Sequence, residues 1–544
     1  MKRKLLALIA LVTAISLLLS GCGLLEWMQK KAYHFDNLEY LRPDVTALEI
    51  SAGECVDSAP KEKDLDALVI LIEDFLYLYS DFYTQYALAY VRYCIDTSDT
   101  YWEREYRYCA GEIPTVDAAR DRVMHALADS PLRKELETEE YFGADYFSDF
   151  EDDSIWTEEF TALMEEEAEL LNQYYSLCAV ADPSIPGSED YYTNYGEQFE
   201  KLYAELVLLR MQIASAAGYD SYPKFAYEYN FHRDFSPGEA TAYTEQIRQE
   251  LVPLYVELAE NGGWEVRIED STDSQTYAYA RQMAENMGGI IETAFEDMTD
   301  YGLYHISYSQ TKYQSSFEIY IHNYGQPFVF VSPTLTTQDH LTFVHEFGHF
   351  CNDYASYGSV AGIDTAEIFS QALEYLSLCY TDSGEELRHY KLLDSLSIYV
   401  EQSAYASFEQ QVYSLTPEQV TPKTIRSLFG TICREFGFDS WEFDERCYIT
   451  IPHFYVQPMY VISYVVSNDA AMQLYELELT EKGKGLDIYC VALDTQQEDF
   501  LAFLEEAGLQ SPFLPGRAAQ LRETLKKAIS PNTKDVPPGT SLAA

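Results

Sequence analysis

Basic residues are scarce. The 544-residue chain carries 36 Lys and Arg against 90 Asp and Glu, a formal net charge of −54. A phosphate backbone is gripped by a basic face, so nucleic acid is excluded as a partner. An anionic membrane surface would likewise repel the body of the protein. The ten cysteines never stand as Cys-x-x-Cys, which removes a cysteine zinc site and a thioredoxin-type motif. They are also too few for a disulfide scaffold in a chain of this length. Internal repeats are absent, so a solenoid is excluded. Only residues 5–19 form a long apolar run, too short and too early for a permanent membrane span. What the chain does have is 47% hydrophobic residues, enough to bury a sizeable core. At roughly 150 residues per domain, it holds about three or four domains or one large helical body. The 47 tyrosines read as amphipathic packing residues.

The first residues read as an address. Lys2, Arg3 and Lys4 precede the apolar run, which ends in Leu19-Ser20-Gly21-Cys22. Small residues before a cysteine resemble the bacterial lipobox, in which the cysteine is lipid-modified and becomes the new N-terminus. Residues 1–21 are therefore expected to be a lipoprotein signal peptide, with Cys22 as the lipidation site. Residues 22–60, poor in periodicity, are expected to form a tether to the outer face of a bacterial cell membrane.

From about residue 61 the pattern is helical. Leu65, Leu68, Val69, Ile72, Phe75, Leu76 and Tyr79 recur at the spacing of one helix face. Similar runs cover residues 192–217 and 237–258. The run Glu165-Glu166-Glu167 reads as a solvated helix face. Between residues 305 and 331 the pattern changes. FEIYIH at 317–322 and FVFV at 328–331 flank a Gly-containing turn, which predicts a small hairpin. The fold class is mostly α with one small sheet. The expected segments are 61–235, an N-terminal helical region; 236–528, a catalytic region; and 529–544, a disordered tail rich in Pro, Gly and polar residues.

His345-Glu346-Phe347-Gly348-His349 is an HExxH motif on a predicted helix that ends at Gly358, with Thr336 or Thr337 as N-cap. Residues four apart share a helix face, so both imidazoles can reach one tetrahedral zinc, with Glu346 beside the open position. Phe343, Phe347 and Phe350 fall on the opposite face and can anchor the helix in the core. The metzincin pattern needs Gly and His where this chain has Asn352 and Ala355, so that class is excluded. A second predicted helix, capped by Asp364, carries Glu367 and Glu374 seven apart. Either could offer a carboxylate oxygen. Glu367 could instead close a capping box with Asp364, and Glu374 is better suited to orienting a bound imidazole.

His345–His349, followed by Ala366-Glu367-Ile368-Phe369-Ser370-Gln371 and then Glu374, resembles the thimet oligopeptidase and oligoendopeptidase F family of HExxH zinc metallopeptidases. Residues 324–327 (YGQP), 210–229 and 451–467 resemble other family segments, and the likeness spans about residues 192–472. It implies one Zn2+ per chain held by His345, His349 and Glu367, with Glu374 behind them. It implies Glu346 as general base, and His453, Tyr460 and Tyr464 as catalytic or substrate-binding donors, with the two tyrosines on one face of a helix started by Pro458. It also implies two helical lobes around a deep channel, with an unpaired strand edge near residues 326–331 beside the HExxH helix. Asn352 stands where the family commonly has a further His, and one extra residue precedes Pro458.

The expected activity is cleavage of short unfolded oligopeptides outside the cytoplasm by a membrane-anchored endopeptidase. Two other readings remain. A gluzincin-type exopeptidase would carry a GxMEN-type strand, which this chain lacks. A non-catalytic peptide-binding lipoprotein has no need of an intact HExxH with a downstream Glu.

Overall fold

A computed structural model describes residues 33–529, apart from 139–140, 145, 151–154, 156, 182–186, 265–267, 359–361 and 442. The expected signal peptide 1–21, Cys22 and residues 530–544 of the expected tail lie outside the described residues. Ile529, the first residue of that expected tail, is instead the buried last residue of the helix Arg517–Ile529.

The three-to-four spacing after residue 61 becomes one long helix, α2 (Leu65–Ile95). It packs with α1 (Val45–Ser58) and α3 (Thr100–Ala128) around a small core that includes Leu48, Leu68, Phe75, Val116 and Leu127. At about 1.5 Å per residue α2 is long enough to serve two cores. Its C-terminal residues Ala87, Leu88, Val91 and Cys94 belong to the main core. That core also takes in α4 (Glu158–Ala181), α5 (Glu189–Ala216) and most of the helices C-terminal to them.

The expected tether to residue 60 needs correction. Val45, Leu48, Ala52 and Cys55 repeat on one face and bury, so residues 45–58 are helix. Phe35 and Leu38 already lie in the main core, and Arg42 pairs with the buried Glu105 at 2.6 Å. The nine described cysteines are all free.

The hairpin forms as expected. β2 (Phe317–Ile321) pairs antiparallel with β3 (Gln326–Phe330), Phe317 opposite Phe330 and Ile321 opposite Gln326. A short β1 (Tyr304–His305) adds parallel to the other side of β3, giving the order β1-β3-β2. The free edge was expected near residues 326–331. β3 is instead central, paired on both sides and wholly buried, and the outer strands are β1 and the longer β2.

Three helices build the floor beside this sheet: α6 (Gln338–Ser356), α7 (Ile363–Tyr380) and α8 (Glu385–Val412). Phe343, Phe347 and Phe350 of α6 are fully buried, as their spacing predicts. The cap of α6 is Thr337, but its side chain makes no cap bond. Thr336 Oγ1 accepts the Gln338 N–H at 3.3 Å, and Asp339 reaches back to the N–H groups of Thr334 and Thr336. Helix α7 is capped by Gly362, so Asp364 is not the cap. The carboxylate of Asp364 is drawn inward by Arg233.

Helices α6 and α7 cross at Gly348. A Cβ there would lie 2.5 Å from Ser370 Cα and 2.6 Å from Phe369 O. Both obstacles are backbone, so neither can rotate away. Gly348→Ala should therefore push the helices apart at a cost of about 1–3 kcal/mol. Thermal unfolding together with metal analysis checks this: both the midpoint and the bound metal should fall, and a variant unchanged in both would show that the crossing does not set the site.

Candidate metallopeptidase site

The HExxH spacing does on α6 what helix geometry requires. The rings of His345 and His349 face one another with centroids 5.0 Å apart. The crossing at Gly348 brings Glu367 of α7 opposite them. One ligand atom from each of His345, His349 and Glu367 lies within 4.8 Å of the others. His345 Nε2 and Glu367 Oε2 are 3.9 Å apart. Two imidazoles and one carboxylate form a donor set suited to a catalytic divalent ion, and all three atoms converge on one point.

The back of the set is held by charge. His345 Nδ1 donates to Glu374 Oε1 at 2.8 Å, which leaves Nε2 as the ligand atom. The other Glu374 oxygen accepts from the fully buried Lys391 at 2.8 Å, and Lys391 also reaches Asp394 at 3.3 Å. Burial alone would raise the Glu374 carboxyl. Lys391 and His345 outweigh it and hold the group below its ordinary value, so it stays ionised. Burial opposes a charge on His345, yet the Glu374 hydrogen bond lifts that ring to about 9, so a metal ion binding at Nε2 would displace a proton. His349 has no such partner, and burial drives it down to about 4. Its nitrogens are therefore neutral and available as ligands.

Glu346 lies beside this set, buried and without a side-chain partner among the hydrogen bonds of the described residues. Burial pushes its carboxyl up to about 7; the His345 ring opposes, while Glu367 and Glu374 add to the rise. A carboxyl poised near neutrality is suited to taking and returning a proton. Glu346 opens into a cavity of about 300 Å³ lined also by Gln338, His345, Glu374, Tyr390, Asp394 and Tyr464.

The His453–tyrosine segment reaches the site by another route than expected. His453 sits on a short helix, α9 (Pro452–Val456). Pro458 does not start a helix. Met459 takes φ +72°, and α10 (Ile462–Thr480) begins after it, leaving Tyr460 in the turn. The rings still meet. Tyr460 and Tyr464 are 5.2 Å apart, His453 stacks on Tyr460 at 5.1 Å, and Tyr464 Oη lies 3.4 Å from His453 Nε2. Tyr460 was expected to face substrate, but its hydroxyl donates to Glu367 Oε1 at 2.7 Å. It steadies the carboxylate whose other oxygen faces His345. Burial lowers His453 from its ordinary value, so that ring is neutral.

Several positioning residues gave no sequence signal. Buried Arg233 donates to Asp364 at 2.8 Å, to Met459 O at 2.8 Å and to Ser463 Oγ at 2.8 Å, tying α7 to the tyrosine turn. Glu409 accepts the Met459 N–H at 2.7 Å. Arg210 donates to the carbonyls of Phe454 and Tyr455 and pairs with Glu167 at 2.6 Å, so Glu167 is not merely a solvated face residue. Asn352, where the family commonly has His, is buried and donates to Asp353 at 3.3 Å. It takes no part in the set of His345, His349 and Glu367.

A helical body with a partly buried His-His-Glu set and a carboxyl beside it defines a metallopeptidase. Two models of one family match: the peptidase M3 N-terminal domain over residues 35–154 and peptidase family M3 over residues 301–493, together more than half of the chain. The chain belongs to peptidase family M3. Solved structures agree on the fold. One assigned as an oligoendopeptidase F is 22% identical with a TM-score of 0.78, covering 92% of this chain and 99% of that one. PZ peptidase A with an inhibitor is 20% identical with a TM-score of 0.79, covering 92% and 99%. An oligoendopeptidase F assignment from Bacillus anthracis is 20% identical with a TM-score of 0.75, covering 92% and 98%. A comparison with curated proteins finds no match.

Glu374→Gln removes the charge that fixes the His345 tautomer. It should weaken metal binding about 10- to 100-fold, read by competition with a chromogenic chelator. Unaltered affinity would show that the Glu374 contact does not orient the ligand.

Proposed function

We propose that this protein is a zinc endopeptidase that hydrolyses short unfolded oligopeptides outside the cytoplasm, anchored in a bacterial cell membrane by a lipid on Cys22. The observation that carries the reading is the convergence of His345, His349 and Glu367, with Glu346 free beside them at the cavity. Zinc in this donor set supplies polarisation of the scissile carbonyl and a more acidic water. Glu346 takes the proton of the attacking water and hands it to the leaving amine. Tyr464, at the cavity wall, and His453, 3.4 Å from its hydroxyl, are the donors best placed for the oxyanion. Tyr460 holds Glu367 in place through its hydroxyl.

The free edge of β2 is the candidate partner for the substrate backbone. β2 packs against α6, the helix that carries Glu346, which puts this strand beside the site. A cavity of about 300 Å³ admits a few side chains and no folded surface.

The address rests on residues 1–22. No helix of the described residues is long and apolar enough to cross a membrane, so anchoring would fall to the lipid. A single acyl chain holds weakly and several hold well.

Two measurements test this reading. Glu346→Gln should lower hydrolysis of a mixed peptide library by a factor of about 10² or more, with zinc content and folding retained. Internal cuts by the wild type support the endopeptidase, single-residue trimming supports an exopeptidase, and the absence of chelator-sensitive products supports a binding lipoprotein. Cys22→Ala should move the protein from the membrane fraction to the soluble exported fraction and abolish labelling by a fatty-acid probe. Retention in the membrane without label would refute the anchor.

A further inference from the structure

Helix α2 places Tyr86 and Tyr90 four residues apart, on one face. Their rings lie within 3° of parallel, with centroids 5.9 Å apart. Tyr106 of α3 leans on both, 6.2 Å from Tyr86 and 5.0 Å from Tyr90. None of the three rings is fully buried. The hydroxyls of Tyr86 and Tyr106 bond to no protein group among the described residues, although tyrosine packed in a core normally finds such a partner. Two still more exposed rings continue the surface. Tyr313, 39% exposed, stands 6.3 Å from Tyr90. Tyr175 of α4, 55% exposed, is close enough to act electrostatically on Tyr86 and Tyr106. The aromatic surface therefore draws on both cores.

Its position gives it a use. Tyr90 stacks on Phe317 at 4.6 Å. Phe317 is the first residue of β2, the strand that packs against α6, the helix carrying Glu346. A peptide lying along β2 towards Glu346, at about 3.3 Å per residue, would carry a side chain past Phe317 and the ring stacked on it. Aromatic surface left partly open to solvent is a candidate binding surface. Parallel and tilted rings offer flat faces and edges, which reward another ring through offset stacking and edge contacts and reward an alkyl group less.

We propose that Tyr86, Tyr90 and Tyr106 form a substrate subsite that selects an aromatic side chain at one fixed position from the cleaved bond. The inference rests on the reading of Glu346 and the His345, His349, Glu367 set as the hydrolytic centre.

The test compares two peptide series that differ only in Phe or Ala at each position around one cleaved bond. For the wild type, kcat/KM should favour Phe by about tenfold at one position and little at the others. The double variant Tyr86→Leu, Tyr106→Leu should bring that ratio close to one, while Tyr86→Phe, Tyr106→Phe should keep it. The ratio is the readout, so a general loss of folded protein does not imitate the result. The same Phe and Ala peptides are then titrated onto Glu346→Gln protein, and the affinity ratio should follow the same order without any turnover. A wild-type ratio near one, or a ratio that survives the Leu variants, would overturn the subsite. So would a dimer that the Leu variants dissociate while selection stays as before, since the rings would then serve a second copy of the chain. Selective binding with no chelator-sensitive cleavage would sink the hydrolytic reading and leave the subsite standing.

Discussion

At Gly348 the backbone of α6 passes so close to Ser370 and Phe369 of α7 that one methyl group would overlap both. Everything in the site depends on that approach. Two histidines four apart on a helix make only half of a metal site. The third donor, Glu367, comes from a different helix, and the distance between helix axes sets whether it arrives. With the usual side chains at a crossing, axes stand about 8–10 Å apart. The missing side chain at Gly348 lets Glu367 come within 3.9 Å of His345. Phe343, Phe347 and Phe350 press the other side of α6 into the core, so the helix cannot retreat.

Around this contact the charges are arranged to pin the ligands. Lys391 fixes Glu374, and Glu374 fixes the tautomer of His345. Tyr460 fixes Glu367 from the other side. Arg233 then joins Asp364 at the start of α7 to the turn that carries Tyr460. Buried charges of this kind cost desolvation energy and are kept where they are paired. Here each pair ends on a residue that holds a donor atom. The rings of Tyr227 and Phe231 near the Arg233 guanidinium, 4.5 and 4.6 Å away, add cation–π contact to the same junction.

What could be read in advance depends on the range of the interaction concerned. Helices came from the period of Leu68, Val69, Ile72 and Phe75, and the hairpin from FEIYIH and FVFV, because each is set by residues close in the chain. Errors gathered where a distant partner overruled a local signal. Asp364 has the chemistry of an N-cap, but Arg233, 131 residues away, takes it. Pro458 has the chemistry of a helix start, but Glu409 holds the Met459 N–H and the turn opens instead. Residues 22–60 lack a strong pattern, yet Val45–Ser58 is helix because α2 and α3 bury its one apolar face. The resemblance implied a free edge near residues 326–331, but β1, only two residues long and with almost no trace in sequence, covers that side of β3.

The order of residues was enough for the helical class, the hairpin, the paired imidazoles of His345 and His349 and the carboxyl of Glu346 between them, since each of these is set within a short stretch of chain. Folding in three dimensions decided which strand keeps a free edge, where the hydroxyl of Tyr460 points and which cation stands behind Glu374. Those outcomes join groups that sequence separation hides, such as Lys391 with Glu374 and Tyr460 with Glu367. A short-range pattern can dictate the shape of a helix, but the meeting of two helices depends on every side chain between them, and at Gly348 on the lack of one.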